Sequence, residues 1–142
     1  MVSSWTEQQI GLLEQSPNVK FHGRFINPND LPDIYAGIDL VLATYDTEYE
    51  NPRFAEPNKL YEAIFYETPI IVSRDTFLAD RVQSLNVGFS VDALDDKSVV
   101  SLVSSLTADV IKEKKEACKA IPKSESINNN QQFFQKLKSL IG

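Results

Sequence analysis

Lys59 and Glu62 stand three positions apart, directly behind Pro57 and Asn58, in the run Glu56-Pro-Asn-Lys-Leu-Tyr-Glu-Ala63. On a helix that spacing puts Asn58, Lys59 and Glu62 on one side, within the first two turns. Pro57 suits the opening turn because its missing N–H has no helical partner there. The first N–H groups of such a helix point outward at the positive end of its dipole, where an anion binds. Lys59 adds a full positive charge at the same end. Glu62, one turn further in, can accept two hydroxyl hydrogen bonds of the kind a ribose diol offers. Phosphate at the helix tip and ribose one turn inward is the way a nucleotide would lie. The same spacing also describes an ordinary surface ion pair, worth a few tenths of a kcal/mol. Spacing alone does not separate the two readings.

The remaining chemistry-bearing residues form no second constellation. His22 is the one histidine, so no histidine-based metal cluster or catalytic triad can be assembled. Cys118 is the one cysteine, which excludes an internal disulfide, fits a reducing compartment and reads as a small packed apolar group. Asp46, Glu48 and Glu50 read as a solvated acidic loop.

The elements that must position Lys59 and Glu62 follow from pattern. Ser4-Trp-Thr-Glu7 is a capping box for a helix ending before Pro17. Val19 to His22 reads as a short strand closed by Gly23. Asn27-Pro-Asn-Asp30 is a turn that caps a helix from Leu31 to Gly37. Asp39 to Thr44 reads as a strand buried on both faces. A polar loop from Tyr45 to Glu56 leads into the helix Pro57 to Tyr66, and Pro69 to Ser73 is a second buried strand. A helix from Phe77 to Leu85, a strand from Gly88 to Val91 and a helix capped by Asp95 or Asp96 and reaching Leu106 come next. The chain closes with a Lys/Glu-rich helix from Asp109, a polar break at Ser124 to Asn130 and an amphipathic helix to Leu140. Strands alternating with helices predict an α/β fold with a parallel sheet.

The chain has 142 residues and a net charge of −6, enough for one core and a poor match to nucleic acid phosphates. No apolar run approaches the ~20 residues that span a bilayer, and Met1-Val-Ser-Ser4 carries no signal-peptide pattern.

The pattern Pro57-x-Lys-Leu-x-Glu-Ala63, followed by Thr68-Pro-Ile-Ile-Val-Ser73, resembles the donor-binding half of GT-B glycosyltransferases. The resemblance is to the bacterial group 1 (family 4-like) enzymes that build capsular and lipopolysaccharide chains. Asn18-Val-Lys-Phe-His-Gly23 and Leu31-Pro-Asp-Ile-Tyr-Ala-Gly-Ile-Asp-Leu-Val-Leu-Ala43 are similar to that family too. The likeness extends from about Asn18 to about Leu106. It implies a Rossmann-like parallel sheet flanked by helices, as one donor-binding domain over 1–142. That domain comprises an N-terminal helix (1–17), an α/β core (18–106) and C-terminal helices (107–142).

The function so implied is transfer of a sugar from a nucleoside diphosphate to an acceptor hydroxyl in surface polysaccharide synthesis. UDP- or GDP-sugar would be the substrate, with no cofactor and no metal. Lys59 would hold the donor phosphates and Glu62 the ribose, with Asn58 and Leu60 beside them. Arg24 and Phe25, after the strand-closing Gly23, take the place where family members meet the nucleobase. A cytoplasmic location follows, peripheral to the inner face of the membrane, with any membrane contact made by the acceptor half. A degenerate donor domain that binds nucleotide or a partner chain and only regulates is the alternative.

Three departures from the family pattern bear on this. Retaining members carry two glutamates with seven residues between them, whereas Phe54 stands eight positions before Glu62. The catalytic residues, and the choice between retention and inversion, therefore stay open. Glu67 occupies the place of the family's helix-ending glycine, which implies either a left-handed glutamate costing about 1 kcal/mol or a different helix end. Two strands and the acceptor-binding domain are missing, so the expectation is half an enzyme, completed in cis or in trans. The favoured arrangement for the shortened sheet is four strands, with Val19 to His22 docked beside Asp39 to Thr44.

Overall fold

The computed structural model describes residues 7–45 and 58–126. The chain divides into two units, Met1–Leu31 and Pro32–Gly142.

In the first unit, helix α1 spans Glu7–Glu14. The expected strand at Val19 to His22 does not form, and Val19 and Phe21 are exposed. Four alternating residues become a strand only when a neighbour supplies the ladder. Here the Val19 N–H is instead donated locally, to the carbonyl of Ser16 at 3.1 Å. Asp30 closes the predicted turn by accepting the Ile26 N–H at 2.7 Å.

Helix α2 covers Leu31–Ala36, as the turn before it predicts. The second unit is built on a three-stranded parallel sheet in the order β1-β2-β3: Val41–Ala43, Ile70–Ser73 and Gly88–Val91. Among the described residues the sheet has three strands, not the four favoured from sequence, because Val19 to His22 contributes none. Helix α3 (Asn58–Phe65) connects β1 to β2, and α4 (Phe77–Leu85) connects β2 to β3. Helix α5 (Asp96–Ser105) starts on Asp95, whose carboxylate accepts the Lys97 N–H. Helix α6 (Ala108–Ala120) starts on Thr107. This is the α/β, Rossmann-like arrangement of parallel strands flanked by helices.

The core follows from periodicity. Leu60, Ala63 and Ile64 of α3 stand at i, i+3 and i+4 and pack with Ala43, Ile70 and Val72 of the sheet. Leu78, Ala79 and Val82 of α4 extend the cluster, and Cys118 of α6 closes it. β2 is buried along its whole length, as its unbroken apolar run predicts. Beside it, Gly88 lets β3 approach so closely that a Cβ would lie 1.9 Å from the Ile70 carbonyl oxygen. β1 departs from expectation: Leu42 is 70% exposed, because it projects from the sheet face opposite α3.

Both crossover helices end in the same manner. After α4, the Asn86 and Val87 N–H groups bond back to Gln83 and Val82, with Asn86 at φ 58°. After α3, Glu67 and Thr68 bond back to Ile64 and Ala63, with Glu67 at φ 56°. These are Schellman ends, so Glu67 does adopt the left-handed conformation that glycine takes cheaply. The polar break expected from Ser124 begins with a further turn of helix, α7 (Lys123–Ser126). Lys123 lies over the Phe65 ring at 5.0 Å and 3.7 Å from Glu67, which holds that turn against the end of α3. The Ser4–Thr6 cap, the loop from Asp46 to Glu56, Pro57 and the closing helix to Leu140 lie outside the described residues.

Candidate functional site

The site that the sequence picks out is built on the partly exposed side of α3, and the opposite side holds it in place. Leu60 is 0% exposed, so the helix cannot rotate without opening the core. That burial also corrects Leu60 as a binding side chain, since it lies wholly within the apolar cluster. Asn58, the first residue of α3, is exposed.

Lys59 and Glu62 do meet. The Lys59 ammonium donates to Oε2 of Glu62 at 2.6 Å, an i, i+3 pair with side chains 38% and 16% exposed. The first prediction of the spacing, that the two share a face, is therefore met. The pairing also gives substance to the plain ion-pair reading, because the ammonium is already turned toward a carboxylate.

Sequence reasoning missed Tyr35. This residue of α2 donates its hydroxyl to the same Oε2 of Glu62 at 3.2 Å. Its ring stacks on Tyr66, just past the end of α3, with centroids 4.6 Å apart and planes at 15°. Burial pushes the phenol pKa far above its ordinary value of 10.0, and the negative charge and hydrogen bond of Glu62 push it further. Tyr35 therefore stays a neutral donor throughout the physiological range. Leu31 and Tyr35 sit at i and i+4 on the buried side of α2, a spacing that marks Tyr35 as inward-facing. A buried phenol needs a hydrogen-bond partner, but the sequence does not reveal which one.

Ser73 shapes the carboxyl end of the sheet nearby. Its hydroxyl accepts the Tyr45 N–H and donates to the Tyr45 carbonyl, both at 2.8 Å, tying the chain after β1 to the end of β2. In open parallel sheets the ligand crevice lies beyond these ends. Arg24 and Phe25 belong to the first unit and are exposed within it. Phe54 and the acidic loop residues Asp46, Glu48 and Glu50 lie outside the described residues. Among the described residues, no helix is long and apolar enough to cross a membrane.

No family model matches the chain. Over 98 residues it is 26% identical to the succinoglycan biosynthesis protein ExoL of Rhizobium meliloti (strain 1021). The match takes in 68% of this chain and 24% of that protein, so the chain spans about a quarter of the length of the relative.

Proposed function

We propose that this chain is the nucleotide-sugar donor-binding part of a glycosyltransferase acting in surface polysaccharide synthesis. The observation that carries the reading is the Lys59–Glu62 pair, a cation and a carboxylate side by side on the opening turns of α3. The similarity to a succinoglycan biosynthesis protein supports the biological setting. In this reading Lys59 and the helix N-terminus offset the charge that develops on the diphosphate as the glycosidic bond breaks. Glu62 accepts the two ribose hydroxyls. An acceptor-binding half, on this or another polypeptide, supplies the second wall of the cleft and any general base. A UDP- or GDP-sugar is the substrate, and the chemistry needs no metal. Phe54, at the position of the family's first glutamate, favours the second reading, a nucleotide-binding module that regulates without catalysing.

Calorimetric titration with UDP, GDP and their sugars tests the reading. Glu62→Ala should weaken binding by about 10- to 100-fold, the cost of about 1.5–3 kcal/mol for losing hydrogen bonds to a charged group. Lys59→Ala should weaken the diphosphates more than the bare nucleosides, and added salt should reproduce part of that loss. If wild-type protein binds none of these nucleotides, the assignment is wrong.

A further inference from the structure

Glu62 is held in an unequal way. The hydrogen bonds that its carboxylate accepts from Lys59 and from Tyr35 both arrive at Oε2. Lys59 reaches Oε2 from the same helix, through a long side chain with many rotamers. Tyr35 differs, because its ring is 6% exposed and clamped against Tyr66. Tyr66 in turn is fixed by the end of α3, where its carbonyl accepts the Thr68 hydroxyl and its N–H bonds to the Glu62 carbonyl. A rigid donor on one oxygen restrains the carboxylate and leaves Oε1 outside both of these hydrogen bonds.

We propose that Tyr35 is a positioning residue, which orients Glu62 so that Oε1 meets the ribose diol of a bound nucleoside diphosphate. The inference rests on the donor-binding reading above. Fixing the carboxylate before the ligand arrives removes the cost of ordering it on binding, and this is the usual benefit of a pre-organised polar group. Tyr35 contributes through Glu62, and its hydroxyl is already engaged with that carboxylate.

The test is Tyr35→Phe, which removes the hydroxyl and keeps the ring stacked on Tyr66. UDP, GDP and their 2′,3′-dideoxy forms are titrated into both proteins. For the diphosphate that wild-type protein binds, Tyr35→Phe should lower affinity by about three- to tenfold, in line with one lost hydrogen bond. The dideoxy form, which has no diol for Glu62, should bind both proteins equally. An equal loss for both forms would show a merely structural role, and no loss for either would show that Tyr35 does not position Glu62. Both of those results overturn this inference while leaving the donor-binding reading intact. Failure of wild-type protein to bind any diphosphate would overturn the two together.

Discussion

On one face of the sheet, Ala43, Ile70 and Val72 meet α3 and α4, and every residue of that cluster is at most 7% exposed. On the other face, Leu42, Ile71 and Val91 look toward Val99, Val100 and Val103 of α5 across a cavity of about 630 Å³. Val100 and Val103 are 63% and 56% exposed, so α5 offers apolar surface that the described residues do not cover. The difference shows where rigidity has been placed. The closed face fixes α3, whose outer side carries Lys59 and Glu62, while the open face is lined by Leu42, Ile71 and Val91 and holds none of Asn58, Lys59 and Glu62.

The sharpest way to break this comparison is to truncate one leucine on each face. Leu60→Ala should cost about 2–5 kcal/mol, the transfer and cavity terms of a buried leucine. The same change at Leu42 should stay within about 0.5 kcal/mol, as expected for an exposed position. Urea denaturation of the two variants reads both values, and equal losses would mean that the open face is covered in solution.

A second prediction uses pH to probe the closed face. Burial, with Glu67 nearby, pushes the Cys118 thiol from 9.0 up to about 11, against a smaller lowering by its backbone hydrogen bond. The unfolded thiol ionises first, so the associated stability is full below pH about 9 and is lost as pH rises toward 11. Tyr35, also raised by burial, adds its own loss above pH about 10. Urea midpoints between pH 8.5 and 10 should therefore fall less steeply in Cys118→Ala than in wild type. Parallel slopes would mean that the thiol is not sealed from water.

The smallest expected effect lies at the hinge between α3 and β2. Glu67→Gly should stabilise the protein by up to about 1 kcal/mol, because glycine adopts a positive φ without a Cβ penalty. Losing the exposed contact to Lys123 at 3.7 Å subtracts little from that gain. A clear fall in the thermal midpoint would instead make the Lys123 contact the feature that holds the end of α3.

The described elements between Leu31 and Ser105 were legible because each carries its own local signal. Leu60, Ala63 and Ile64 announce a helix with one buried side, Ile70 to Ser73 announces a buried strand, and Asp95 caps its helix. The shared face of Lys59 and Glu62 was readable for the same reason, since three positions on a helix is a local distance. Pairing across the chain was not readable. Val19 to His22 has the alternation of a strand but no ladder, and Leu42 sits in an apolar run yet points outward. In both cases the outcome depends on which neighbour arrives, and no local pattern encodes that. Glu67 shows the same division: its sequence position flags a helix end, but only the packing of α3 against β2 requires a left-handed residue there. Residue types and helical period determined that a cation and a carboxylate would stand together at the start of α3. The fold alone decided that a tyrosine 27 positions upstream would meet that carboxylate, because the contact depends on how α2 packs beside α3.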